Sequence, residues 1–307
     1  MKAKGLSETC PADSVGEPAV PEGVTSSGGG DGWILLSAGC FATIPIFATY
    51  GYAAGVATLP MLAWRFLLTI ATLWGFLGAT RRLAALPAPR VLGLLGMGVA
   101  YVAMTLLYFE ALRHSSISTL TLLFYSYPIF VTLLAVLFLR EPMTRIKSAA
   151  LLLALAGCVI VLRPSGKADW RGALLALAAS LLYSAYMIVG TRLTRGVDPF
   201  LSTAWIMTAT AAVFIAAAAA RGEMGAVRGA AAWGSVLGLA VVATVMADGS
   251  FFAGLSRTGA SRAAILSTVE PLFTILLSAW LLGEVIPPAR FLGGALILGS
   301  VLLIHRE

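Results

Sequence analysis

Residues Phe251–Glu284 read FFAGLSRTGASRAAILSTVEPLFTILLSAWLLGE, and residues Tyr108–Glu141 read YFEALRHSSISTLTLLFYSYPIFVTLLAVLFLRE. A shift of 143 positions (271 − 128, and equally 284 − 141) lays one on the other without a gap. Phe109 then meets Phe252, Leu112 meets Leu255, Ser118 meets Ser261, Pro128 meets Pro271 and Glu141 meets Glu284. Each copy is an apolar run with a proline in its middle and a carboxylate at its end. Proline has no N–H, and its ring clashes with the carbonyl four residues back. The helical backbone should therefore lose a partner at Phe124 and again at Ser267.

The surrounding composition sets the solvent. Residues of the AVILMFWYC set make up 59% of the chain and charged residues 11%, against roughly 25% charged in soluble domains. Mean hydropathy is +0.91. So few charges cannot cover a soluble globule, and the chain reads as a multi-span membrane protein. The net charge is +7. The arginines lie in short loops between apolar runs, a signature of membrane topology; nucleic acid is not an expected partner. Cys10, Cys40 and Cys158 form no CxxC or Cys/His spacing, and His114 and His305 stand far apart. Neither a metal site, a cofactor nor a disulfide is expected.

Residues 1–32 are rich in Pro, Gly, Ser and acids, the composition of a disordered tail. Apolar segments follow near 33–51, 57–79, 91–112, 117–139, 146–163, 171–192, 200–220, 233–255, 263–282 and 290–305. The fold class expected is all-α integral membrane, with ten transmembrane helices of about 20 residues each. With a cytoplasmic N-terminus, the inner ends carry 13 Lys and Arg and the outer ends 7, leaving out Arg65 inside a span. This bias puts both termini in the cytoplasm. The repeat unit holds five spans, and an odd number sends the second copy through the membrane the other way up. Two inverted five-helix halves, 33–163 and 170–305, are the result. Paired, proline-interrupted helices in such a plan point to a substrate site near the bilayer midplane.

At these residues the chain resembles the drug/metabolite transporter superfamily, specifically its ten-helix EamA type. LPMLAWRF (Leu59–Phe66) is similar to that family's second helix. ALRHSSISTLTLL…YPIF…E and GLSRTGASRAAIL…EPLFTILLSAWLLGE resemble its third-to-fourth region. LLLALAGCVIVLRP and LGGALILGSVLLIHR resemble its small-residue closing helices. The resemblance implies a plasma (inner) membrane secondary transporter, an exporter of a small organic metabolite such as an amino acid. Its partners would be that small molecule and the lipid bilayer, and its state a monomer or homodimer.

Ionisable groups inside spans mark functional sites by default; here they are Arg65, Glu110, Asp248 and Glu270. Asp248 and Glu270 fall about 10 Å deep on consecutive spans, an arrangement suited to proton coupling. Arg65 either meets an anionic cargo group or is held by Glu110 or by backbone carbonyls. Ser267, Glu270, Thr274 and Ser278 share one helical face. Tyr127 is the repeat partner of Glu270, and Thr105, on a face with Tyr101 and Tyr108, is the partner of Asp248. Ser180, Ser184, Met187 and Thr191 align on the sixth span beside Tyr183. These stripes read as the walls of a cavity or as helix glue. Pro128 and Pro271 would supply gating bends, while Glu110, Glu141 and Glu284 are structural candidates. No HExxH, P-loop or GxSxG is present, so no catalytic residue is expected. The rival functions are a membrane-embedded lipid-modifying enzyme, for which only Asp248 and Glu270 could serve, and a non-transporting sensor or assembly protein.

Overall fold

The computed structural model describes residues 29–111, 114, 117–162, 169–282 and 288–306, and every regular element among them is helical. Nine segments of the described residues are long and apolar enough to cross a membrane, and a shorter apolar helix ends the chain. The first span is α1 (Asp31–Phe41) and α2 (Ile44–Ala53), followed by α3 (Thr58–Ala79) and α4 (Ala88–Ala111). The fourth is α5 (Ile117–Phe124) and α6 (Tyr127–Leu134), continued by a π-helical turn at Ala135–Leu139. Then come α7 (Arg145–Leu162), α8 (Trp170–Leu193) and α9 (Pro199–Ala220). The eighth is α10 (Ala230–Ala240), a π-helical segment Val241–Met246, and α11 (Ala247–Thr258). The ninth is α12 (Ala260–Ser267) and α13 (Glu270–Leu282), and the last is α14 (Pro288–His305).

The two prolines do more than bend their helices. The fourth span stops at Phe124 and restarts at Tyr127 with Pro128 in the first turn, where a missing N–H costs nothing. The ninth stops at Ser267 and restarts at Glu270, one residue before Pro271. The intervening residues, Tyr125–Ser126 and Thr268–Val269, are themselves separated by 143 positions. Ser267 and Glu270 therefore belong to different helices, and the continuous polar face expected there is interrupted.

Packing repeats the internal symmetry. Helix α4 lies on α8 as α11 lies on α1, and α5–α6 pack on α8 as α12–α13 pack on α1. Pairs α3–α9 and α7–α14 join equivalent spans across the axis. The two halves are thus interleaved around one core, whose buried residues come from both: Phe66, Leu94 and Val131 with Met187, Phe252 and Leu266. Large apolar residues such as Leu92, Leu152 and Trp280 face outward, where acyl chains would cover them.

Lipid supplies no hydrophobic drive for helix association, so close backbone approach has to do the work. A Cβ at Gly157 would stand 2.7 Å from the Gly293 carbonyl, and one at Gly293 would stand 2.9 Å from the Gly157 carbonyl. At Gly98 a Cβ would run into the Ile206 carbonyl. Elsewhere serine closes the joints. Ser184 Oγ shares its one proton between Ser180 O (2.7 Å) and the Tyr127 carbonyl (3.2 Å), while Ser126 and Ser180 hydroxyls meet at 3.2 Å. Ser180, Ser184 and Met187 are fully buried, so that stripe of α8 is glue for the broken fourth span and not an open wall.

The end of the bundle holding the start of α1 and the end of α14 is tied by polar contacts between the halves. Glu141 accepts from the Ala260 and Ser261 amides (2.9 and 3.3 Å), capping α12. Gly259 makes this junction with φ +80°, a conformation a side chain would strain. Arg82 reaches Asp198 (3.8 Å), Arg90 donates to Leu193 O (2.8 Å) and Arg195 O, and Arg192 donates to Phe138 O. Arg262 grips Asp31 with two bonds, Nε to Oδ1 at 2.8 Å and Nη2 to Oδ2 at 2.6 Å, and His305 Nδ1 lies 2.7 Å from Oδ2. Asp31 is thus a buried member of α1, although its setting in sequence is that of the tail. The two-pronged geometry is the strong form of the carboxylate–guanidinium pair.

Two outcomes follow from this packing. Gly98→Leu should destabilise the protein by at least about 1–3 kcal/mol through overpacking, read as a lower melting temperature in detergent. Gly96→Leu, where no atom lies within 4 Å of the new Cβ, should be silent. Arg262→Ala should cost up to about 3–5 kcal/mol by leaving Asp31 with His305 as its remaining partner, and adding Asp31→Asn in that background should recover part of the loss.

Candidate functional site

Arg65 sits in the second turn of α3 and is 5% exposed. An unpaired guanidinium at that position would be costly. Its Nε donates to Thr244 Oγ1 at 2.8 Å, and Nη2 donates to the Ala243 carbonyl at 3.2 Å. Both acceptors belong to the π-helical segment of the eighth span, whose wider turn releases a carbonyl from the α-helical ladder. Thr244 in turn donates to Leu239 O at 2.7 Å. The guanidinium also lies 5.1 Å from the centre of the Phe66 ring. Arg65 thus pairs with a polar turn on the facing helix. Glu110 is exposed and lies 3.7 Å from His114 Nε2, and Asp169 stands 3.5 Å from the other His114 nitrogen.

The π segment delivers Asp248 into the core at the start of α11. Asp248 is 3% exposed, lies within electrostatic reach of Arg65, and its Oδ2 has no hydrogen-bond partner. Glu270, the first residue of α13, arrives at the same region because the ninth span breaks just before it. Its side-chain partner is the Tyr125 hydroxyl, from the equivalent break in the fourth span. The two breaks therefore face each other with an acid on one side and a tyrosine on the other.

Aromatic rings fill the space between. Tyr127 and Tyr183 meet edge to face with centroids 4.9 Å apart. Tyr183 stacks on Tyr186 at 6.1 Å, Tyr186 lies 6.2 Å from Tyr101, and Tyr101 lies 6.1 Å from Phe66. Phe124 links Tyr183 (5.6 Å) to Tyr108 (5.4 Å), and the Tyr108 hydroxyl bonds Thr121 Oγ1 at 2.7 Å. Tyr101 and Tyr183 feel the charges of both Asp248 and Glu270; Tyr108 and Tyr127 feel that of Glu270.

Arg65, Tyr101, Tyr108, Tyr127, Tyr183, Asp248 and Glu270 are thereby gathered into one cluster, with Pro128 and Pro271 at its two helix breaks. Glu110 stands apart from it, Glu141 sits at the capped α12 junction, and Glu284 lies outside the described residues. Sequence reasoning missed Tyr125 and Tyr186. Tyr186 is three residues after Tyr183, and Tyr125 sits two before Tyr127 beside the proline; those spacings were the available signals. The π segment left no readable signal in Val241–Met246.

Two apolar grooves lie away from the cluster. One, of about 650 Å³, runs between α1 and α13 past Leu36, Gly39, Phe273 and Trp280. The other, of about 410 Å³, is lined by Phe47, Tyr50 and Ser235. Neither touches Arg65, Asp248 or Glu270. No group of three or more metal-ligating side chains occurs among the described residues.

Comparison with known proteins agrees with this architecture. The profile of the EamA-like transporter family matches residues 28–163 and again 170–306. The uncharacterized transporter YcbK of Bacillus subtilis is 28% identical over 82% of this chain and 85% of its own. An uncharacterized transporter of Archaeoglobus fulgidus is 27% identical over 70% of this chain and 76% of its own. A probable terminal-alkyne amino-acid exporter of Streptantibioticus cattleyicolor is 29% identical over 63% and 66%. One solved structure superposes with a TM-score of 0.79 at 21% identity, covering 91% of this chain and 96% of that one, which shows the shared fold. With two family units spanning nearly the whole described bundle, this chain belongs to the EamA-like transporter family.

Proposed function

We propose that this transporter exports a small organic metabolite, of the amino-acid type, by alternating access between its two halves. The observation that carries the reading is the pair of facing helix breaks with Asp248, Glu270 and the tyrosines between them. A membrane tolerates non-helical backbone only where protein or an aqueous cavity meets it. Two such breaks at equivalent positions match the discontinuous helices that build secondary-transporter sites. The name of the Streptantibioticus cattleyicolor relative supports an amino-acid-like cargo.

In this reading the halves rock about the cluster, and both termini lie in the cytoplasm. The polar ties around Asp31, Glu141 and Arg262 close the terminal end, and their release opens it. Pro128 and Pro271 place the flexible joints of α5–α6 and α12–α13. Arg65 fixes the π turn and so aims Asp248. Asp248 and Glu270 bind cargo or carry the coupling proton, and the tyrosine faces hold the cargo body.

Proteoliposomes loaded with a panel of labelled amino acids and related metabolites test this directly. Flux should rise with an imposed pH gradient. It should fall at least about tenfold, the equivalent of ~1.4 kcal/mol, in Asp248→Asn and in Glu270→Gln. Flux indifferent to the gradient and to both substitutions would remove the coupling role of the two acids.

A further inference from the structure

The central cluster holds more acid than base. Arg65 faces two carboxylates, Asp248 and Glu270, so the ionised trio carries one net negative charge. Arg65 is also committed: Nε and Nη2 already donate to Thr244 Oγ1 and to the Ala243 carbonyl. A cargo carboxylate approaching Arg65 would find its Nε–Nη2 edge already engaged and would face Asp248, which repels it. The arrangement does not resemble an open guanidinium fork for an anion.

Asp248 presents the opposite need. Its Oδ2 is buried and accepts no hydrogen bond, and the Tyr186 hydroxyl, also buried, has no partner either. A stranded carboxylate oxygen in an apolar bundle is expensive, and more so when charged. What satisfies it best is a cationic donor. The nearby surfaces are ring faces: Tyr183 and Tyr186 stand nearly parallel, 17° apart, and Tyr101 flanks Tyr186. Ring faces attract ammonium groups within about 6 Å. Tyr101, Tyr183 and Glu270 are half-buried, whereas Asp248 and Tyr186 are buried.

We infer that cargo docks through a protonated nitrogen at Asp248, between the rings of Tyr101, Tyr183 and Tyr186, and that a cargo carboxylate is dispensable. The substrate class is an amine-bearing cation with a compact apolar or aromatic body; an amino acid enters by its ammonium end. The inference rests on the transporter reading of the same cluster.

Three probes with one body separate the possibilities: 2-phenylethylamine, phenylalanine and 3-phenylpropanoate carry the amine, both groups, and the carboxylate alone. Equilibrium binding is measured by tryptophan fluorescence in detergent, and counterflow is measured separately in proteoliposomes. The amine should bind at least as tightly as the amino acid, and the acid at least tenfold more weakly. Asp248→Asn should abolish this ranking and Asp248→Glu should restore it. Should Asp248→Asn not fold, the wild-type ranking and the ring-deleting variant Tyr183→Leu, expected to weaken amine binding several-fold, decide the matter. The inference is overturned if the acid binds as tightly as the amine, if the ranking survives Asp248→Asn, or if no aromatic or aliphatic amine binds up to about 10 mM. Amine binding without counterflow would contradict the transporter reading and leave the ligand class standing. Counterflow of acids alone would do the reverse.

Discussion

A backbone carbonyl or amide inside a bilayer has no water to turn to, and each unsatisfied group costs several kcal/mol. This chain nonetheless interrupts its helices at Tyr125–Ser126 and at Thr268–Val269, and loosens a third at Val241–Met246. Each interruption is met by protein. Ser126 Oγ donates to the Leu123 carbonyl at the first. Arg65 donates to the Ala243 carbonyl within the third. At the second, Thr268 Oγ1 donates to the Ile265 carbonyl, and Glu270 comes to lie against Tyr125. Local deviation from helix and the polar residues of the core are therefore one phenomenon: the breaks exist where the polar groups gather, and the polar groups are affordable where the breaks need them.

Duplication built the frame and divergence built the chemistry. The two proline breaks superpose under the 143-residue shift, and each pairing of a first-half helix with a second-half helix has its equivalent with the halves exchanged. The residues at those equivalent places differ. Glu270 stands where the first half has Tyr127, and Asp248 stands where it has Thr105. The acids therefore come from the second half, while the first contributes Tyr101, Tyr108, Tyr125, Tyr127 and the single cation, Arg65. Interleaving of the halves, α4 on α8 and α1 on α11, brings the two contributions face to face. A side-by-side arrangement of the repeats would have left them apart.

The spans were legible because hydropathy and length are strong signals in a lipid solvent, and the breaks were legible because proline cannot donate. The buried ionisable residues Arg65, Asp248 and Glu270 were legible as charges inside apolar runs. Their partners were not. Arg65 bonds a turn some 180 residues away in the chain, and that turn is π-helical within an ordinary apolar stretch. Asp31 sits beside the glycine-rich tail, and its partner Arg262 is 231 residues distant. The serines of α8 read from sequence as cavity wall or as helix glue, because a polar stripe is the same pattern whether it faces water or a neighbouring helix. Spacing gives the face of a helix; only packing says what that face meets.

The most direct test of the account is a cryo-electron microscopy structure in nanodiscs, with bound cargo identified by the binding series. The cargo nitrogen should lie within hydrogen-bond distance of Asp248, with its body against Tyr183 and Tyr186 and with Arg65 still bonded to Thr244 and the Ala243 carbonyl. Cargo seated in the apolar groove between α1 and α13 beside Trp280, with the tyrosine cluster unchanged, would contradict it.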